Sequence, residues 1–276
     1  MGAHDGPAPL GVRADYHFHT RFSYDSRTTT QAILERAQES HLELLCVTDH
    51  DTVAGAEELT ALSRPPVRVV VGCEFTCEDG SHVIGLHLRN MIFERRPRAL
   101  MELIKLQGGL VLLPHLFRRG SGIFRNELQR GDNFVREALS LADLVECFNG
   151  RDTYDNNERS RRFAAERGLR AVAGSDAHRA QEIGSVFVEY DRPDPVHGVS
   201  PRCVFFPSQE PFSEHPLKRG VMEFYHRHKD RLPSVVHSAY RAARASLKRD
   251  LPRHAERHPR LQYELPGMES SHVARQ

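Results

Sequence analysis

Along the first 180 residues, apolar runs of strand length repeatedly end on a histidine or an acid. Leu10–Tyr16 ends at His17 and His19, Leu42–Thr48 at Asp49 and His50, and Val67–Cys73 at Glu74. His82–Leu86 runs into His87, Gly109–Leu113 into Pro114 and His115, Asp143–Val145 into Glu146, and Arg170–Gly174 into Asp176 and His178. Between most of these runs the apolar spacing is helical. Ile33, Leu34 and Ala37 follow the N-cap candidates Thr28–Thr30, and further helices are expected at 54–63, 97–107, 131–141 and 156–167, the last stopped by Gly168. The run at His82 follows its predecessor with no room for a helix. Strands alternating with helices imply a parallel α/β sheet, and about seven such units suffice to close a barrel. Chemistry on such barrels sits at the C-terminal strand ends, which is where these side chains fall.

The stretch Asp15-Tyr16-His17-Phe18-His19-Thr20 shows what the strand ends can do. Residues two apart on a strand share a face, so Asp15, His17 and His19 project together, their side chains roughly 6–7 Å apart along the chain. Two imidazoles so spaced can hold a divalent ion once carboxylates arrive from elsewhere in the fold. The five cysteines, Cys46, Cys73, Cys77, Cys147 and Cys203, are odd in number and most lie inside apolar runs, so a disulfide framework is not expected. Cys73 and Cys77 lack the second pair that a structural zinc site requires. There is no basic segment leading into an apolar run and no stretch near 18 apolar residues, so a cytoplasmic protein with no membrane partner is expected.

Charge divides the chain. Residues 199–276 carry 14 Lys and Arg against 8 Asp and Glu, whereas residues 1–198 carry 24 against 29. An acidic main part suits a carboxylate-rich metal site, and a basic tail suits an acidic partner, nucleic acid or only solvent. The boundaries expected are a catalytic barrel at 10–192, a Pro-rich connection at 193–216, a basic helical extension at 217–250 and a flexible tail at 251–276.

Taken together, Asp15–Thr20, Thr48–Asp51, Gly72–Glu74, His82–His87, Pro114-His115 and Ser175–His178 resemble the PHP domain, the polymerase and histidinol phosphatase superfamily. The resemblance covers residues 12–190 and implies a distorted (β/α)7 barrel of the TIM type, with two or three divalent ions (manganese, zinc or iron) at its mouth, hydrolysing phosphoesters. Residue by residue, it implies His17, His19, Glu74 and Asp176 as ligands of a first metal. Glu74 would bridge to a second, held also by His115 and a histidine of the fourth strand. His87 is preferred for that histidine because it lies at the strand exit, with His82 as the rival. Asp25, His50 and His178 would hold a third ion.

Clustered ions can bind phosphate oxygens and bring a bound water to hydroxide near neutral pH, so no Ser or Cys nucleophile is needed. Asp49 or His178 could shuttle a proton to the leaving group, and Arg118, Arg119, Arg151 and Arg179 follow rim positions where they could meet an anionic substrate. A phosphatase or phosphodiesterase acting on a small phosphorylated metabolite or nucleotide is the leading expectation. The alternatives are a nuclease or DNA-processing enzyme, whose basic tail would grip a backbone, and a non-catalytic metal-binding assembly module.

Overall fold

The computed structural model describes residues 12–124, 127–190, 202–205 and 261–264. The chain divides into two compact units, Met1–Pro207 with Pro259–Gln276, and Ser208–His258. The second unit, and with it all of the expected helical extension at 217–250, lies outside the described residues.

Strands β1 (Val12–Phe18), β2 (Leu42–Val47), β3 (Arg68–Thr76), β4 (His82–Leu86), β5 (Leu110–Leu113), β6 (Leu144–Asn149) and β7 (Ala171–Gly174) follow one another around the sheet in chain order. Helices α1 (Thr30–Glu39), α2 (Ala54–Leu62), α3 (Pro97–Leu106), α4 (Glu127–Leu141) and α5 (Tyr154–Glu166) supply the crossovers. Their starts follow local chemistry. The Thr29 hydroxyl accepts from the Ala32 amide, that of Thr153 accepts from Asn156, and Pro97 opens α3 where no amide hydrogen is needed. Two apolar clusters hold the layers together, one with Ile33, Ala37, Ala56 and Leu59 of α1 and α2 packed among Phe18, Leu45 and Val47, the other spanning the rest of the barrel and α3 to α5.

The sheet is mixed. The pairs β1–β2, β2–β3, β5–β6 and β6–β7 are parallel, but β4 runs antiparallel to both β3 and β5. Only residues 77–81 join β3 to β4, too few for the crossover that a parallel neighbour requires. A further strand, β8 (Val186–Tyr190), pairs antiparallel with the start of β1, while the end of β1 meets the end of β7 through the Phe18–Ala177 bridge. β8 thus fills the lower half of the seam and β7 the upper half, giving a nearly closed eight-stranded barrel. The close approach at the seam requires Gly174, where an added Cβ would lie 2.4 Å from the His17 Cβ.

Two more strands, β9 (Arg202–Phe205) and β10 (Leu261–Glu264), extend the sheet beyond β8 in antiparallel fashion. They come from segments to which the sequence patterns assign no element, the Pro-rich connection and the tail. Among the described residues no helix is long and apolar enough to cross a membrane.

Candidate metal centre

Six of the barrel strands run toward one end, and their histidines and acids converge there. His17, His19, Glu74, His115 and Asp176 are almost completely buried, and His50 nearly so. Burying this many ionisable groups costs free energy unless opposite charges or a cation lie among them.

Glu74 sits at the middle, and its two oxygens face different histidines. Oε1 lies 2.6 Å from His82 Nδ1 and 3.0 Å from His115 Nε2. Oε2 lies 3.1 Å from His17 Nε2, 3.3 Å from His19 Nε2 and 3.5 Å from His50 Nδ1. Asp176 closes the other side, with Oδ1 3.3 Å from His19 Nε2 and 3.8 Å from His17 Nε2. Asp25 Oδ2 lies 2.7 Å from His178 Nε2 and 3.8 Å from His50 Nε2. Four overlapping sets therefore have ligand atoms close enough to share a metal ion: His19-Asp25-His50-His178, His17-His115-Asp176, His17-His19-Glu74 and His50-Glu74-His82.

The groups around these side chains fix their aim. Glu146 accepts from His17 Nδ1 at 3.1 Å, from the His115 amide at 2.8 Å and from the Asn149 side-chain amide at 2.9 Å. With its proton on Nδ1, His17 turns an Nε2 lone pair toward Glu74, a clash of negative character unless a proton or a cation lies between. His115 and Asp176 hold left-handed backbone, with φ of 28° and 51°. Such backbone is strained for residues with a Cβ and persists where the surroundings enforce it, here through the His115 amide bond to Glu146 and a 2.6 Å bond from the Asp176 amide to the His17 carbonyl.

The donor set suits a divalent cation. The ring nitrogens His50 Nδ1 and His115 Nδ1 are buried without a hydrogen-bond partner, and His17 Nε2 and His19 Nε2 face each other at 3.3 Å. Electrostatics show the same competition. Burial works against a charged Glu74, yet His50, His17 and His82 hold its carboxyl well below the ordinary range. Asp25 is likewise held low against burial by His178 and His50, and Asp176 by His17 and Arg118. Burial drives His50 and His115 down to about 3, whereas for His19 it is outweighed by Asp176 and Glu74, which raise the imidazole to about 9.

Two expectations are corrected. His87 is exposed and belongs to none of the sets; His82 takes the place beside Glu74. The cause is the reversed direction of β4, which brings its first residue, not its exit, to the mouth. Asp49 does not reach the cluster as a proton shuttle, since its two carboxylate oxygens accept from the Thr20 amide at 2.6 Å and the Thr20 hydroxyl at 2.7 Å. Asp15 is also drawn away from His17 and His19. It accepts from the Ser175 amide and hydroxyl at 2.9 and 2.6 Å, and burial raises its carboxyl to about 6.

The arginines separate as well. Arg118 donates to Asp176 Oδ2 at 2.8 Å and to Asn149 Oδ1 at 2.6 Å, so it braces a candidate ligand. Arg151 pairs with Glu182 at 3.1 Å, Arg179 is partly buried just after His178, and Arg119 is exposed. Sequence reasoning left Glu146 at a strand end without a role and missed Thr20, Asn149 and Ser175. Ser175 had a signal in the Ser-Asp-Ala-His run; the partners of Glu146 and Asn149 are spread over distant strands.

Comparison with known proteins agrees with this architecture. The PHP domain family model matches residues 15–160, more than half of the chain, and a PHP-associated model matches residues 155–197. An uncharacterised protein of Methanocaldococcus jannaschii, MJ1587, is 34% identical over 116 residues, 38% of this chain and 67% of that protein. PsfC from Pseudomonas syringae superimposes with a TM-score of 0.54 at 17% identity, over 79% of this chain and 98% of that chain. A lesion-specific endonuclease from Pyrococcus furiosus does so with a TM-score of 0.52 at 18% identity, over 67% of this chain but 53% of that chain. At such identities the structural likeness shows the fold alone. The family match, together with the histidines and acids gathered at the barrel mouth, identifies this chain as a member of the PHP-domain family.

Proposed function

We propose that this chain is a metal-dependent hydrolase of phosphate esters, acting on a small phosphorylated substrate at the barrel mouth. The observation that carries the reading is Glu74, a buried carboxylate whose two oxygens are each flanked by a different group of imidazoles. That is the arrangement by which one side chain serves two cations. His17, His19, Glu74 and Asp176 would hold one ion, Glu74, His82 and His115 a second, and Asp25, His50 and His178 a third. Manganese, zinc or iron suits such mixed imidazole and carboxylate ligands. Divalent ions so held would neutralise phosphoryl oxygens and lower the pKa of a coordinated water.

The chain's own residues then have separable tasks. Glu146 keeps the His17 proton on Nδ1, leaving Nε2 for a ligand bond, and Arg118 holds Asp176 Oδ2 so that Oδ1 stays turned inward. The preference for a small substrate rests on the rim. A polynucleotide needs a row of cations along its backbone, and two of the four described rim arginines, Arg118 and Arg151, are engaged instead by Asp176 and Glu182.

The test is a phosphate-release screen over sugar phosphates, amino-alcohol phosphates and nucleotides, run with metal-loaded protein in isotopically labelled water. The released phosphate is expected to carry one solvent oxygen, with no phosphorylated protein formed. A trapped phosphoenzyme would sink the direct-water mechanism. Metal binding without release from any ester would favour the assembly-module alternative.

The choice between His82 and His87 is directly measurable. His82→Ala is expected to lower metal content and cut turnover by roughly 10- to 100-fold, the range typical of disturbed metal sites, while His87→Ala leaves both unchanged. Elemental analysis and steady-state rates on the two variants decide it, and the opposite pattern would return the role to His87.

A further inference from the structure

The loop between His19 and α1 carries Ser23, a side chain buried to 2% exposure that no step of the chemistry above uses. Its hydroxyl oxygen touches three of the residues gathered at the mouth. It lies 2.8 Å from Asp25 Oδ1, 3.3 Å from the His50 amide nitrogen and 3.4 Å from His19 Nδ1. The main chain holds it there, since the Ser23 amide donates to the Thr20 carbonyl and the Ser23 carbonyl accepts from the Ser26 amide.

A serine hydroxyl has one hydrogen to give and two lone pairs to receive with. The His50 amide can only donate and an ionised carboxylate can only accept, so the hydroxyl hydrogen goes to Asp25. A lone pair of the oxygen then faces His19 Nδ1, and that contact is favourable only with the imidazole hydrogen on Nδ1. His19 is left with an Nε2 lone pair, and Nε2 is the nitrogen 3.3 Å from both Glu74 Oε2 and Asp176 Oδ1. In Asp25 the bond engages Oδ1, whereas Oδ2 is the atom 2.7 Å from His178 Nε2 and 3.8 Å from His50 Nε2. One hydroxyl thus turns a ligand atom of two different residues toward the cluster.

We propose that Ser23 is a positioning residue that prepares His19 and Asp25 together for two neighbouring metal ions, fixing His19 as an Nε2 ligand and presenting Asp25 through Oδ2. This deepens the hydrolase reading and rests on its assignment of ligands to ions. His17 obtains the same tautomer from Glu146, a carboxylate, whereas His19 obtains it from a hydroxyl shared with a second ligand. Losing that hydroxyl weakens two ions at once, the one taken by His19 and the one taken by Asp25. An ion held by Glu74, His82 and His115 keeps its surroundings, because Ser23 touches none of the three. Partners that orient a ligand in this way are worth roughly 10- to 100-fold in metal affinity.

The experiment titrates manganese into the chelator-stripped full chain and into its Ser23→Ala and Ser23→Thr variants, reading bound ions per chain by elemental analysis. The Tm of each stripped protein is measured alongside, and proton–nitrogen NMR of the zinc-loaded parent reads which His19 nitrogen carries hydrogen. Ser23→Ala is expected to need roughly 10- to 100-fold more manganese to fill two of its sites while one ion binds as in the parent. Its stripped Tm should fall by no more than about 2–4 °C, the effect of one lost hydrogen bond, and Ser23→Thr, which keeps the hydroxyl, should bind nearer to the parent. Unchanged affinity in Ser23→Ala, or an equal loss of every ion, would overturn the proposal. So would zinc on Nδ1 of His19, or a loss in folded Ser23→Thr as large as in Ser23→Ala, which would trace the effect to space and not to the hydroxyl. A parent chain that binds no ion would instead overturn the metal-dependent hydrolase reading, which sets the two failures apart.

Discussion

Glu74→Gln is expected to lower turnover by roughly three orders of magnitude while the barrel stays folded. Gln matches Glu in shape, so packing around β3 is conserved. It supplies one oxygen in place of two, and its amide nitrogen must face either His82 and His115 or His17, His19 and His50. Whichever side receives the nitrogen loses a ligand and the negative charge that holds the ions together. Metal content should fall by at least one ion per chain, read by elemental analysis after reconstitution, with the circular dichroism spectrum retained. Near-parental activity in this variant would remove Glu74 from the bridging role and with it the multinuclear centre.

Removing metal should change stability as much as activity. Without a cation the cluster keeps buried ring nitrogens unpartnered on His50 and His115, and two imidazole nitrogens opposed at 3.3 Å. An ion that binds only the folded chain stabilises it by RT ln(1 + [L]/Kd), about 4 kcal/mol at a thousandfold excess over Kd. For a barrel of this size that corresponds to a rise in Tm of roughly 10 °C. Differential scanning calorimetry of protein stripped with a chelator and then reloaded with manganese or zinc measures it directly. An unchanged Tm on reloading would mean that these side chains form a self-sufficient ionic network.

The positions of the elements were largely legible along the chain. Each strand from β1 to β8 has its own apolar run, and the helices have their stripes, caps and stops, because those signals depend on neighbours a few residues away. The same holds for the gathering of His17, His19, Glu74, His115, Asp176 and His178 at one end, which follows from the rule that a barrel strand delivers its last residues to the mouth. Even the reversal of β4 left a trace, since residues 77–81 cannot form a crossover; following that trace would have selected His82.

What the sequence by itself determined, then, was an α/β barrel with a histidine- and acid-rich end. What only the tertiary structure decided was which carboxylates stay at the cluster and which turn away from it. Asp15 stands in the most chelator-like stretch of the chain, yet it turns to Ser175, 160 residues away, and Asp49 turns to Thr20. Strand and helix formation are set by local periodicity, but a buried carboxylate takes whichever donors the closed fold brings within about 3 Å, and those donors come from segments far apart in sequence.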